Sequence, residues 1–306
     1  RSQTVTGVQT CALPISLFGP WGRTAARRLD ALDAPFFCYL HLWELHEPVS
    51  VPEEYDDRRY GRWPYERALS ALDARLETLV DSLPENTVVA LHGDHGESVT
   101  WRGHPVHSAL KTARDKLRYE RGVDTRRVER AVDRAADRLV PTEITDHFLE
   151  AGHGETVYDT TANVPLVLSG PGVDPGTETG VCRQVDVAPT LCDLLDVPVD
   201  ESALDGASLL GGFEERPAYV RACGAALRGR ENWQRAVRTG DRKYVEYPDR
   251  DWPPELYDLR EDPEERRPLD PDPDRVRSMR RLFPRLDVVD SETLDIDDRL
   301  HDLGYL

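Results

Sequence analysis

The sequence is poor in lysine. Only Lys111, Lys116 and Lys243 occur among 306 residues, and 57 acidic residues outnumber 39 basic ones, which gives a formal charge of −18. So acidic a chain is not expected to bind nucleic acid or an anionic membrane nonspecifically. The arginine-rich, lysine-poor balance favours a protein from a halophile, where salt screens the repulsion between carboxylates. The alternative is an acidic protein from a GC-rich genome.

Long apolar runs and paired cysteines are also missing. No apolar stretch approaches the length of a membrane span, so we expect no membrane segment within these 306 residues. The five cysteines show no CxxC spacing, and no disulfide framework is predicted. No signal peptide is visible, which makes a cytoplasmic location the default expectation; an export signal preceding this sequence would change it.

The first sixteen residues differ from the rest of the chain. Residues 1–16 contain no acid and no clear periodicity, and their GVQTCALPI portion resembles the translated read-through of a common sequencing adapter. We therefore expect residues 1–16 to be non-native and exclude them from the fold prediction. The alternative is a genuine N-terminal segment.

One short apolar run ends in an acid and an imidazole flanked by glycines, LPENTVVALHGDHGE at residues 83–97. Residues 88–91 predict a buried strand of a parallel sheet, and Asp94 and His95 follow its C-terminal end, where ligands of open α/β sheets gather. Gly93 and Gly96 let the backbone turn sharply. A carboxylate beside an imidazole suits two ligands of one divalent cation. The alternative is a turn with a capping Asp.

Strand and helix patterns alternate up to about residue 210, which predicts an α/β domain over residues 17–212. The predicted elements are a strand at Phe36–Leu42, a helix with leucines from Leu69 to Leu83, the strand before Asp94, a strand in 163–172 and a helix in 185–197.

An inserted helical segment, residues 108–150, interrupts this alternation. Its apolar stripe is expected to pack inward, as a lid or packing element, with Arg and Asp on the outer face and Lys111 and Lys116 as solvated charges. The stripe consists of Val128, Ala131, Val132, Ala135, Ala136 and Leu139. Residues 213–306 predict a small α+β subdomain of short antiparallel strands, with turns at Gly240-Asp241 and Pro253-Pro254, and a helix near Asp274.

Several ordered motifs resemble those of the sulfatase family of the alkaline phosphatase superfamily. They are ELHEPVSVPEEY (44–55), LHGDHGE (91–97), HGETVYDTTANVPLVLSGPG (153–172), QVDVAPTLCDLL (184–195), ELYDLREDPEERRPL (255–269) and the terminal LGYL. The resemblance covers nearly everything after residue 34. It implies an alkaline-phosphatase-like α/β sandwich of helices around a largely parallel sheet, with the small C-terminal α+β subdomain.

The resemblance also implies a site. Asp94 and His95 would bind one divalent metal ion, calcium in the first place and magnesium or manganese as alternatives. His46 and His153 would act as catalytic and substrate-binding residues near the sulfate or its leaving oxygen. Leu42 stands where a two-metal phosphatase would have Asp, which favours one metal. The implied substrate is a small-molecule or glycan sulfate ester. The remaining histidines have weaker claims: His41 and His92 within strands, His104 and His107 at the site mouth, His147, and His301 at the surface.

The family nucleophile lies in a Cys/Ser-x-Pro-x-Arg motif, which none of the five cysteines occupies; Cys11 is followed by Ala-Leu-Pro. We therefore expect a C-terminal portion of a sulfatase-like hydrolase that contains no nucleophile and does not turn over alone. His95 stands where single-metal members often have Asn, so a phosphate or phosphonate ester hydrolase or transferase remains an alternative. A nonenzymatic oxyanion-binding relative is another.

Overall fold

The strand predicted at Phe36–Leu42 is present in the computed structural model, which describes residues 3–5, 8–99, 105–139, 146–211, 214–222 and 232–284. Of residues 3–5 and 8–15 only the backbone is described. The chain divides into two units, one ending at Thr87 and the other beginning at Val88. Among the described helices, none is long and apolar enough to cross a membrane.

The first unit contains a three-stranded sheet of β1 (Gln3–Val5), β2 (Val8–Ile15) and β3 (Phe36–Leu42). β2 runs parallel to β3 and antiparallel to β1. These contacts use backbone groups, which any extended segment supplies whatever its side chains. The non-native origin of residues 1–16 therefore stays a prediction.

Two helices of the first unit form its core. They are α1 (Ala25–Asp30) and α2 (Pro64–Val80). α2 begins where Pro64 occupies the first helical position and the Glu66 carboxylate accepts the Trp63 N–H at 3.1 Å. The leucine stripe predicted for this helix is confirmed at Leu72 and Leu79, which are buried against Leu29.

The second unit begins with β4 (Val89–His92), which pairs antiparallel with β5 (Leu166–Ser169), His92 opposite Leu166. The prediction that this segment is a buried parallel strand is wrong in its pairing, and its last two residues are exposed. The apolar run specifies an extended segment, but a run of four residues does not encode the direction of its partner.

The insertion consists of α3 (Pro105–Asp115), a π-turn at Lys116–Glu120 and α4 (Arg126–Leu139). The orientation predicted for α4 is confirmed at Ala136, which is buried, and at Val132, which packs partly buried beside it. It is wrong at Val128, which is 63% exposed, whereas Arg126, Glu129 and Asp133 are buried. Charged residues can face inward because each meets a partner; Arg118 Nη1, for example, lies 2.9 Å from Glu129 Oε1.

Lys111 is not the solvated charge that the sequence predicts. Its side chain is largely buried, and its Nζ donates to Asp115 at 2.9 Å and to Glu155 at 3.0 Å. The second lysine of the segment, Lys116, is exposed, as expected.

The buried Arg118–Glu129 pair predicts a specific acid sensitivity. Burial raises the pKa of Glu129, but Arg118 and Arg114 outweigh it and lower that pKa to about 2. Because the folded pKa lies below the unfolded one, this stability is present above pH ~4.5 and is lost as the pH falls towards 2. In wild type this group should make the free energy of unfolding fall by up to about 1.4 kcal/mol for each pH unit. We expect Glu129→Gln to abolish this dependence on pH.

Urea unfolding between pH 3 and 6 measures this slope. The control is Glu120→Gln, because Glu120 is an exposed carboxylate of the same insertion. Equal slopes for wild type and Glu129→Gln would contradict the prediction.

The C-terminal strands are confirmed. An antiparallel sheet has the order β6 (Ala218–Ala222), β7 (Gln234–Arg238), β8 (Arg242–Glu246) and β9 (Glu255–Asp258). The turn predicted at Gly240-Asp241 joins β7 to β8. The turn predicted at Pro253-Pro254 is wrong: the chain turns at Pro248-Asp249, where Arg250 N donates to Tyr247 O at 3.1 Å. The remaining helices are α5 (Asp159–Ala162), α6 (Val187–Leu194) and α7 (Pro273–Arg280). α6 and α7 match the helices expected in 185–197 and near Asp274. The domain boundary at residue 212 stays a prediction.

Candidate functional site

The turn that follows β4 is fixed through its backbone. Gly93 N donates to Pro165 O at 3.2 Å, and Gly96 N donates to Thr161 O at 2.9 Å. The Gln184 side chain donates to the Asp94 carbonyl at 2.6 Å. These bonds leave the Asp94 and His95 side chains on a backbone that has little freedom to move.

Glycine is required at Gly96 for a different reason than the one predicted. Neither Gly93 nor Gly96 is among the glycines with positive φ. A Cβ at Gly96 would instead overlap the Thr160 carbonyl oxygen and lie 3.0 Å from Thr161 Cα. The missing side chain thus allows close approach to α5 rather than a left-handed turn.

His95 presents one nitrogen to a possible ligand. Its Nδ1 lies 3.0 Å from Gly96 O, and because a carbonyl only accepts, Nδ1 carries the proton and Nε2 keeps a lone pair. Nε2 lies 3.8 Å from Asp94 Oδ2. Two ligands that each sit about 2.0–2.6 Å from one ion are separated by this kind of distance. The pair therefore fits the predicted divalent cation.

His153 lies against His95. The two rings stack with centroids 3.7 Å apart at an angle of 24°. His153 Nδ1 is 2.8 Å from Glu97 Oε2, and the Glu97 side chain is only 5% exposed. A donated Nδ1–H fixes the tautomer and the orientation of the His153 ring.

Three of the four predicted site residues, Asp94, His95 and His153, are thus brought together, and one residue was missed. Ligand atoms of His95, Glu97 and His153 all lie within 4.8 Å of one another. Glu97 follows His95 by two positions, the spacing that returns to the same side of an extended segment. This two-residue spacing from His95 is the feature of the sequence from which Glu97 could have been predicted as a site residue.

The fourth predicted residue, His46, belongs to the first unit. It follows β3, where its N–H donates to Trp43 O at 3.1 Å and its ring lies 4.9 Å from the Trp43 ring. Its catalytic and substrate-binding role stays a prediction.

The other histidines divide by burial. His107 is 2% exposed and packs edge-on against Phe148, so the expectation that it lies at a site mouth is wrong. His107 falls on the inward face of α3, seven residues before Arg114.

His147 is buried as well. Burial lowers the pKa of His147, but the hydrogen bond to Asp133 outweighs burial and raises the pKa of His147 above its ordinary value. His41 lies in β3 and His92 is exposed in β4. His104 and His301 lie outside the described residues.

A family model described as Sulfatase matches residues 23–197. A Delta 4,5-hexuronate-2-O-sulfatase of Bacteroides thetaiotaomicron is 32% identical over 125 residues, which cover 38% of this chain and 26% of that protein. A choline-sulfatase of Rhizobium meliloti is 34% identical over 111 residues, which cover 35% of this chain and 21% of that protein. The chain therefore spans about a quarter of the length of the curated relatives it matches.

A solved structure from work on glycosaminoglycan metabolism by Bacteroides thetaiotaomicron superposes with a TM-score of 0.55 at 20% identity, covering 85% of this chain and 52% of that one. Identity this low supports the fold alone, which is the mixed α/β, alkaline-phosphatase-like architecture. Because the family model matches more than half of its residues, the chain belongs to the sulfatase family.

Proposed function

We propose that this chain carries the metal-binding and proton-donating part of a sulfuric ester hydrolase. The observation that carries the proposal is the stacked pair of imidazoles, one beside the Asp94 carboxylate and the other held by Glu97. Asp94 and His95 would hold a single divalent cation. Such a cation would withdraw charge from the sulfate oxygens during in-line attack.

His153 is proposed as the proton carrier. Its Nδ1–H is engaged by Glu97, so the proton for a leaving oxygen would pass through Nε2. The carboxylate keeps the ring in one orientation while this proton moves. A catalytic and substrate-binding role is proposed for His46 on the family resemblance alone.

The donor set limits which ion binds and how tightly. One carboxylate and one imidazole from Asp94 and His95 are few ligands for a divalent cation, so we propose weak binding by this chain alone. Calcium is proposed because the family resemblance implies it, with magnesium and manganese as alternatives; the Asp94 carboxylate supplies the kind of oxygen donor that these ions prefer.

The nucleophile is proposed to lie outside this chain. No Cys or Ser in the 306 residues is followed by Pro at the second and Arg at the fourth position after it. Without a nucleophile no covalent intermediate can form. We therefore propose that the chain alone does not turn over.

The proposed substrate class is a sulfate ester of a small molecule or a glycan. The relatives named as a hexuronate-2-O-sulfatase and a choline-sulfatase support both kinds. His95, in place of the Asn common among single-metal sulfatases, favours a phosphate or phosphonate ester hydrolase as the second candidate.

Calorimetric titration with calcium and with manganese tests the metal site. We expect wild type to bind one ion, and His95→Ala to lower the affinity at least about tenfold because a direct ligand is lost. His92→Ala is the matched control, since His92 is an exposed histidine three residues earlier. Equal affinities for wild type and His95→Ala would contradict the proposal.

An activity assay tests the missing nucleophile separately. We expect no hydrolysis of an aryl sulfate or an aryl phosphonate by the isolated chain. A clear rate that Asp94→Ala abolishes would show that a nucleophile is present after all.

A further inference from the structure

The loop that carries His153 is bound at both of its ends by one buried guanidinium. Arg114 of α3 has a side chain only 2% exposed. Its Nη1 lies 3.1 Å from Glu150 Oε1, before His153 in the chain, and its Nη2 lies 3.3 Å from Glu155 Oε2, after it. Nη2 also donates to Leu149 O at 2.6 Å. A single side chain thus joins the two ends of a short loop.

The tip of this loop has little conformational preference of its own. His153 stands between Gly152 and Gly154, whose φ angles are 78° and 77°. Glycine adopts many backbone conformations with similar energies, so two glycines around one residue do not by themselves fix it. Gly152 also exchanges two backbone hydrogen bonds with Ser98, at 3.0 and 3.1 Å, which hold the side of the tip before His153. The position of the imidazole therefore depends on this bridge and on what holds the loop ends.

Lys111 adds a second contact to the same end of the loop. Its Nζ lies 3.0 and 3.1 Å from the two oxygens of Glu155. Lys111 and Arg114 are one helical turn apart on α3, so they reach Glu155 from one face. Both cations come from the insertion, the segment to which the sequence assigned no chemistry.

The charges of this cluster favour arginine at position 114. Burial raises the pKa of Glu150, and Arg114 opposes this rise. The planar guanidinium donates in several directions at once, to two carboxylates and a carbonyl, which the point charge of a lysine cannot do with the same geometry.

We propose that Arg114 is a positioning residue: by holding Glu150 and Glu155 it fixes the loop that places His153 against His95. This inference rests on the function proposed for His153. In this proposal the inserted helix α3 stabilises the His153 loop and does not contact the substrate.

The test compares Arg114→Lys with Arg118→Lys. Arg118 is a matched control because it is 3% exposed, follows Arg114 by four residues, and forms its salt bridge at 2.9 Å with Glu129 of α4, from which Arg114 lies farther, at 3.7 Å. The readout is the nuclear Overhauser effect between the imidazole protons of His95 and His153, assigned with a His153→Gln variant. We expect this signal in wild type and Arg118→Lys and its loss in Arg114→Lys. Manganese affinity should fall about tenfold in Arg114→Lys alone, because His95 loses the ring stacked on it.

Persistence of the signal and of the affinity in folded Arg114→Lys would overturn the inference, as would equal losses in both variants. If Arg114→Lys does not fold, Lys111→Met is the second variant and Lys116→Met its control. A weakened signal in Lys111→Met alone supports the inference, and equal signals overturn it.

The two proposals fail in different ways. If wild type shows the ring contact but binds no cation, the proposed function fails while Arg114 keeps its positioning role. If His95→Ala loses the cation but Arg114→Lys keeps both contact and affinity, the positioning role fails and the proposed function stands.

Discussion

Replacing Lys243 with methionine should lower the free energy of unfolding by about 3–5 kcal/mol, the usual cost of removing one partner from a buried ion cluster. The Lys243 side chain is 0% exposed. Its Nζ lies 2.7 Å from Asp159 Oδ1 and 2.9 Å from Glu265 Oε1. Methionine preserves the volume but leaves the Glu265 carboxylate buried without its cation. Urea unfolding at pH 7 measures the effect.

The pH dependence of this loss separates charge from packing. Burial raises the pKa of Asp159, but Lys243 and Arg238 outweigh it and lower that pKa in the wild type. In Lys243→Met the carboxylates can be relieved by protonation, so the destabilisation should shrink as the pH falls from 7 towards 4.

Two further variants control for packing and for the loss of a lysine. Adding Glu265→Gln to Lys243→Met should recover part of the lost stability, because no uncompensated charge then remains at that position. Lys116→Met, at an exposed lysine, should change stability little. A loss below about 1 kcal/mol in Lys243→Met would contradict the assignment of a stabilising cation.

Local patterns predicted most of the elements because their causes are local. The leucine spacing that predicts α2 buries Leu72 and Leu79, and the Gly240-Asp241 turn joins two strands that are neighbours in sequence. The α4 prediction failed at Val128 because periodicity alone does not decide which side chains of a helix are buried. That choice depends on Arg118 and Arg114, arginines from another segment that neutralise Glu129.

In the candidate site, too, residues that are close in the sequence could be predicted and distant ones could not. Asp94 and His95 are adjacent in the sequence, and their chemistry could be inferred from one motif. The role of Glu97 follows only from its contact with His153, and these two residues are 56 positions apart in the sequence. The loop ends held by Arg114 are likewise distant from it, so no sequence window contains both.

Replacing Gly96 with alanine should disrupt the site more than any neighbouring glycine substitution. The added Cβ would overlap the Thr160 carbonyl oxygen, which is backbone and cannot turn aside as a side chain can. We expect a loss of about 1–3 kcal/mol in the free energy of unfolding, the usual cost of overpacking. Because the displaced turn carries Asp94 and His95, manganese affinity should fall about 10–100-fold, as it does when the support of metal ligands is lost.

Alanine substitutions at two other glycines serve as controls for this prediction. A Cβ at Gly176 would meet no atom within 4 Å, so Gly176→Ala should leave both stability and affinity unchanged. At Gly93 the new Cβ would lie 3.0 Å from Val164 Cβ, a tight contact rather than an overlap, so Gly93→Ala should have an intermediate effect. Calorimetry and urea unfolding measure all three variants. We expect the losses of manganese affinity and of stability to be largest for Gly96→Ala, smaller for Gly93→Ala and absent for Gly176→Ala. If Gly96→Ala binds manganese as wild type does, the close approach to α5 does not hold the candidate ligands in place, and the metal site must depend on other contacts.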